Sequence, residues 1–145
     1  MTKISVFLLF LLSGFLVAQD RIKQDTKSEA KIEFQISQYS PIMSSTVGIP
    51  LQYSGKISPE MKCYWHANYG HFLSWKEPDY KVKFLGSDVV NSGEKLYWSY
   101  RLEDTEKPAK IEILVMVIDL SKREIVATAH INIGWKDNMA VVVEK

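Results

Sequence analysis

The chain has 145 residues, with 18 lysines and arginines against 17 aspartates and glutamates, for a formal net charge of +1. Charge this balanced and interspersed lacks the concentrated basic face that neutralises phosphates, which argues against a nucleic-acid binder. The single cysteine, Cys63, excludes an internal disulfide, so the domain must be stable on its core alone.

The chain opens MTKISVFLLFLLSGFLVAQD. Lys3 supplies a positive start, and residues 4–17 are apolar apart from Ser5, Ser13 and Gly14. An apolar run of this length fits the core of a secretory signal peptide, roughly 7–15 residues, and falls short of the about 20 needed to span a bilayer. Residues 1–18 are therefore expected to be a signal peptide cut after Ala18, with cleavage one residue later and an uncleaved anchor as the competing readings. No cysteine stands at the cut, so lipid anchoring is not expected. Removing 1–18 takes away one lysine and leaves seventeen charges of each sign. A neutral, secreted chain follows, extracellular or periplasmic, with no polybasic run to hold it on a membrane.

Residues 19–31, QDRIKQDTKSEAK, are polar and read as a tether. Residues 32–145 are expected to form one domain. Ile32, Phe34 and Ile36 alternate with Glu33 and Gln35, the period of a half-buried strand. The loop SPIMSSTVGIP follows, bounded by Pro41 and Pro50, and Leu51 and Tyr53 start a second strand. In MKCYWHA, Cys63, Trp65 and Ala67 share one face, while Tyr64 and His66 share the other with Asn68 just beyond. Gly70 turns the chain into HFLSW. Tyr80, Val82 and Phe84 then alternate with lysines, and Asn91, Ser92 and Gly93 signal a turn. LYWSYRL places Leu96, Trp98, Tyr100 and Leu102 on one side. IEILVMVIDL is apolar on both faces over 115–118, as in a central strand, and SKRE connects it to Ile125, Ala127, Ala129, Ile131 and Ile133 in alternation. Two such runs across a short polar connector predict an antiparallel hairpin. Lys136, Asp137 and Asn138 turn into a last short strand, MAVVV. The fold class expected is all-β, an antiparallel sandwich of about 7–9 strands, with a small barrel as the alternative.

KCYWHANYGHF resembles the tryptophan-bearing strand and turn of bacterial immunoglobulin-like and PKD-type domains. KIEILVMVIDLSKREIVATAHINI is similar to their last two strands, and together the likeness spans roughly 32–134. The chain has neither the paired cysteines of antibody domains nor the acidic GDG turn of typical PKD repeats. The resemblance implies an immunoglobulin-like sandwich serving as an extracellular spacer, adhesion or binding module.

Catalytic sets are hard to assemble. No GxSxG elbow and no glycine-rich phosphate loop occurs. Cys63 and His66 stand at odd separation on a strand and point to opposite faces. His66 and His71 with Glu77 or Asp79 match no standard metal spacing, so neither a metal nor a cofactor is expected. The feature above background is aromatic crowding. Trp65 and Trp98 belong to core faces. Tyr64, Tyr69, Trp75 and Tyr80, beside His66, Asn68 and His71, form a candidate contact surface for a protein or carbohydrate ligand, since Tyr and Trp join apolar area to a polar handle. The leading expectation is a non-enzymatic binding module. The alternatives are an inhibitor of an extracellular enzyme such as a protease, presenting SPIMSSTVGIP, and a small metal-dependent hydrolase using His66 and His71.

Overall fold

The computed structural model describes residues 30–143. The expected signal peptide, and the tether up to residue 29, lie outside the described residues. Among those described there is no helix, and eleven strands form two antiparallel sheets. The first sheet joins β1 (Lys31–Phe34), β3 (Ile49–Ser54), β8 (Leu96–Ser99), β5 (His71–Ser74) and β6 (Lys83–Gly86), in that order. The second joins β2 (Gln38–Tyr39), β11 (Met139–Val143), β10 (Glu124–Lys136), β9 (Ile111–Asp119), β4 (Met61–Ala67) and β7 (Asp88–Asn91). The chain crosses between sheets after every strand up to β8 except β5, so neighbours in space are often distant in sequence.

The core is the space between the sheets. Trp98, Phe72, Ile49 and Leu51 enter it from the five-stranded sheet, and Cys63, Trp65, Ile113, Val115 and Val117 from the six-stranded one, all fully buried. Trp65 meets Phe72 edge to face across the gap, with centroids 6.1 Å apart, a geometry that suits the ring quadrupoles. Period-two alternation alone put Cys63, Trp65 and Ala67 on this face, and β4 has the predicted bounds. Burial pushes the Cys63 thiol up to about 11, with Glu94 adding to the effect, so it stays a protonated apolar group at neutral pH.

The two last hairpins form as expected. β9 is central, paired on one side with β4 and on the other with β10. Asp137 and Asn138, at φ 52° and 63°, make the two-residue turn between β10 and β11, the left-handed pair whose twist matches a hairpin.

Four details differ from the expectation. The strand count exceeds 7–9 because β2 has only two residues, and because β7 lies between the predicted strands, where the sequence signals only the turn at Asn91, Ser92 and Gly93. The alternation of Tyr80, Val82 and Phe84 is only partly a strand. The Tyr80 N–H donates to the Lys76 carbonyl at 2.9 Å in a turn, φ at Tyr80 is 51°, and β6 begins at Lys83. Leu102 lies beyond β8 in an exposed loop, away from Leu96 and Trp98. Ile125 is not on the face of Ala129 and Ile133. A bulge at Val126 inserts one residue between the pairs Ile125 to Ile118 and Ala127 to Val117, and the extra residue turns Ile125 to the outer surface.

Candidate functional site

The seven residues singled out by sequence do not form one surface. Tyr64 and His66 stand on the outer face of the six-stranded sheet. Across from them on the edge strand β7, Asp88 pairs with His66 and Val90 pairs with Tyr64. The Asp88 carboxylate accepts a hydrogen bond from the Tyr64 hydroxyl at 2.5 Å, lies 2.8 Å from His66 Nδ1, and accepts from Ser87 Oγ at 3.0 Å. These three donors, Tyr64 first, lower the Asp88 pKa to about 2 although the group is exposed. The same bond raises the pKa of Tyr64. A depressed carboxyl favours the folded state at pH values above its unfolded pKa, and that contribution is lost as pH falls through about 2. Removing the first donor with Tyr64→Phe is expected to move the Asp88 carboxyl midpoint upward in an NMR titration. An unchanged midpoint would mean that His66 and Ser87 suffice.

Asn68 serves the fold. Its Oδ1 accepts from the Glu112 N–H at 2.9 Å, and its own N–H donates to the Glu112 carbonyl at 3.3 Å, continuing the β4 and β9 ladder past the strand end. Tyr69 donates to Asp104 Oδ2 at 2.9 Å and packs edge to face on Trp135. Burial, then the bond to Asp104, pushes its pKa up to about 12. His71 is half-buried against the Phe84 ring, with centroids 4.8 Å apart. Burial lowers its pKa, and Arg101 adds to this while Asp104 opposes it. His71 stands in the five-stranded sheet and His66 in the six-stranded one, so the sandwich does not bring them together as a ligand pair. Among the described residues, no group of three or more His, Cys, Asp or Glu is placed to hold a metal ion.

Trp75 and Tyr80 do come together. Just past β5, Trp75 stacks on Tyr97 at 4.5 Å and 21°, and Tyr80 follows at 5.8 Å and 33°. Trp75 Nε1 donates to the Val47 carbonyl at 3.1 Å, which ties the ring to the loop after β2. Tyr97 points away from the core yet is only 7 % exposed, because Trp75 covers it. Tyr80 at the end of the stack is open to solvent. Beside these rings is a cleft of about 410 Å³, lined by Gln35, Thr46, Glu77, Glu94, Trp75 and Tyr97 among others. A second depression of about 590 Å³ along β1 shares Gln35, Pro50 and Lys95 with it, so the two form one trough across the outer face of the five-stranded sheet.

Tyr97 and Asp88 escaped the sequence reading as site residues. Strand parity placed Tyr97 opposite Trp98 and so outward, but no local signal says that Trp75 folds back over it. Asp88 sits in a strand that the turn signal of Asn91, Ser92 and Gly93 conceals. Comparison with protein-family models, curated proteins and solved structures finds no match for the chain.

Proposed function

We propose that this domain is an exported, non-enzymatic binding module on an immunoglobulin-like sandwich, and that its contact surface is the stack of Tyr97, Trp75 and Tyr80 with the adjoining cleft. Export rests on the charged start and apolar run of residues 1–18. The observation that carries the binding reading is the aromatic stack beside a cleft with an amide, a hydroxyl and carboxylates at its rim. Flat rings supply apolar contact at little entropic cost, and the polar side chains supply direction. That combination fits a saccharide, whose rings present C–H faces and hydroxyl edges. The test is titration of the protein with a panel of soluble oligosaccharides, followed by tryptophan fluorescence. Trp75→Ala is expected to weaken binding on the order of tenfold to a hundredfold, as for a central aromatic anchor. Tyr80→Ala is the companion variant, since its exposed ring is not needed for folding. Binding unaffected by both substitutions in folded protein would overturn the assignment.

A second reading has its own observation. In the loop 40–48, Ile42 and Met43 are each 75 % exposed, while Ser44 Oγ accepts from the Ser40 N–H and the Ser44 N–H donates to the Ser40 carbonyl, both at 3.0 Å. A braced loop with two apolar side chains at its tip suits insertion into a protein pocket, as in a protease inhibitor. A silent saccharide panel, with inhibition of a secreted protease that Met43→Asp abolishes, would replace the first reading with this one.

A further inference from the structure

At one end of the sandwich two aromatic rings form a corner. Tyr100 follows β8 with its ring turned inward, and Trp135 lies near the end of β10. Their planes meet at 85° with centroids 4.9 Å apart. Tyr69 buttresses Trp135 edge to face at 6.2 Å, and Tyr39 does the same for Tyr100 at 6.1 Å. The corner is therefore held by four strands or turns from both sheets.

A cation already sits in it. Lys107 Nζ lies 5.2 Å from the Tyr100 centroid and 5.1 Å from the Trp135 centroid. Among the described residues Lys107 makes no ion pair, so the two ring faces are its electrostatic partners. The loop 101–110 is pinned on either side of it. Asp104 accepts the Tyr69 hydroxyl bond, and the Pro108 carbonyl accepts from Trp135 Nε1 at 2.7 Å. Arg101 offers a contrast. It lies 6.0 Å from one ring, that of the exposed Phe84, the arrangement of an incidental surface contact. A lysine laid over two perpendicular, buttressed rings places its charge where both negative π faces act together. Tyr100 is buried, so the corner is closed while Lys107 and its loop remain in place.

We propose that Tyr100 and Trp135 form an aromatic cage for an alkylammonium ligand, and that Lys107 occupies it as an internal ligand in the closed state. A quaternary ammonium group is the ligand class that fits best. It carries the same charge as Lys107, it is weakly hydrated, and its methyl groups match ring faces better than an NH₃⁺ does. The proposal is independent of the saccharide cleft, which lies elsewhere on the five-stranded sheet. Bound ligand would displace Lys107 and free the middle of the loop while Asp104 and Pro108 keep its ends. An internal ligand that fills the cage about nine-tenths of the time lowers the apparent affinity about tenfold.

The experiment titrates choline into the full chain and into Lys107→Gln, following the Trp135 indole N–H resonance, with 3,3-dimethylbutan-1-ol as the uncharged isostere of choline. Lys107 is exposed on a loop, so the substitution leaves the core intact. Saturable binding of choline to Lys107→Gln, about tenfold tighter than to the unsubstituted chain and absent with the isostere, is the expected result. Three results overturn the proposal. They are no saturable shift in Lys107→Gln, equal response to choline and its isostere, and equal affinity of the two proteins for choline. Trp135→Leu in the Lys107→Gln background, read through a one-dimensional choline line-width measurement, should abolish binding. If that variant does not fold, the isostere comparison still decides.

Discussion

Trp98→Ala is expected to cost about 3–5 kcal/mol of folding stability, the range for emptying a large aromatic site in a packed core. Trp98 has no exposed surface and lies between Ile49 of β3 and Phe72 of β5, its direct partners in the five-stranded sheet. Its Nε1 donates to the Tyr69 carbonyl at 2.9 Å, and its ring tilts over Tyr100 with centroids 5.8 Å apart. Truncation therefore opens a cavity, strips a half-buried carbonyl of its donor, and loosens the turn that carries Tyr69. Small domains hold only about 5–15 kcal/mol in total, so the variant should lose a large share of its urea midpoint. Trp98→Phe keeps most of the volume and removes the donor, and should fall between the two. A midpoint for Trp98→Ala within experimental error of the unsubstituted chain would mean that the sheets collapse onto the vacated space.

Gly70→Ala is expected to be the most damaging single-methyl change in the described chain. Gly70 has φ +79°, where an L side chain is disfavoured by about 1–2 kcal/mol. An added Cβ would also lie 2.5 Å from the Ser99 carbonyl oxygen and 2.7 Å from the Trp98 ring. Neither neighbour can move easily. Ser99 pairs with His71 in the ladder, and Trp98 is walled in by the core. Gly86 separates the two contributions, since it has φ +86° and nothing within 4 Å of a built Cβ. Gly86→Ala should bear the backbone term alone, and Gly70→Ala should exceed it by at least about 1 kcal/mol, the scale of an overpacked core. Thermal melts of the two variants side by side test this. Equal losses would show that the Gly70 turn shifts away from Trp98.

Both predictions concern positions whose weight differed in legibility. That Trp98 is core followed from Leu96 and Trp98 sharing parity in an aromatic strand. That Gly70 turns the chain was also plain. Its closeness to the Ser99 carbonyl was not, because the two are 29 residues apart and meet only once β5 pairs with β8. The candidate site divides in the same way. Tyr64 and His66 on one face of β4 are a consequence of period two. Their shared partner Asp88 depends on β7 being laid along β4, after the chain has added two strands, β5 and β6, to the other sheet. Trp75 and Tyr80 were legible as aromatics near a loop, but the ring that joins them, Tyr97, comes from β8.

The sequence by itself determined the all-β class, the two final hairpins, the inward tryptophans and the outward Tyr64 and His66. All of these rest on alternation or on short turns, which involve residues within a few positions of one another. Only the tertiary structure decided which exposed residues become neighbours. It split the seven candidates, turned Ile125 outward through the Val126 bulge, and stacked Trp75 on Tyr97. It also carried Lys107 onto Tyr100 and Trp135. These outcomes depend on strand order across two sheets and on single-residue register shifts, for which a local period holds no information.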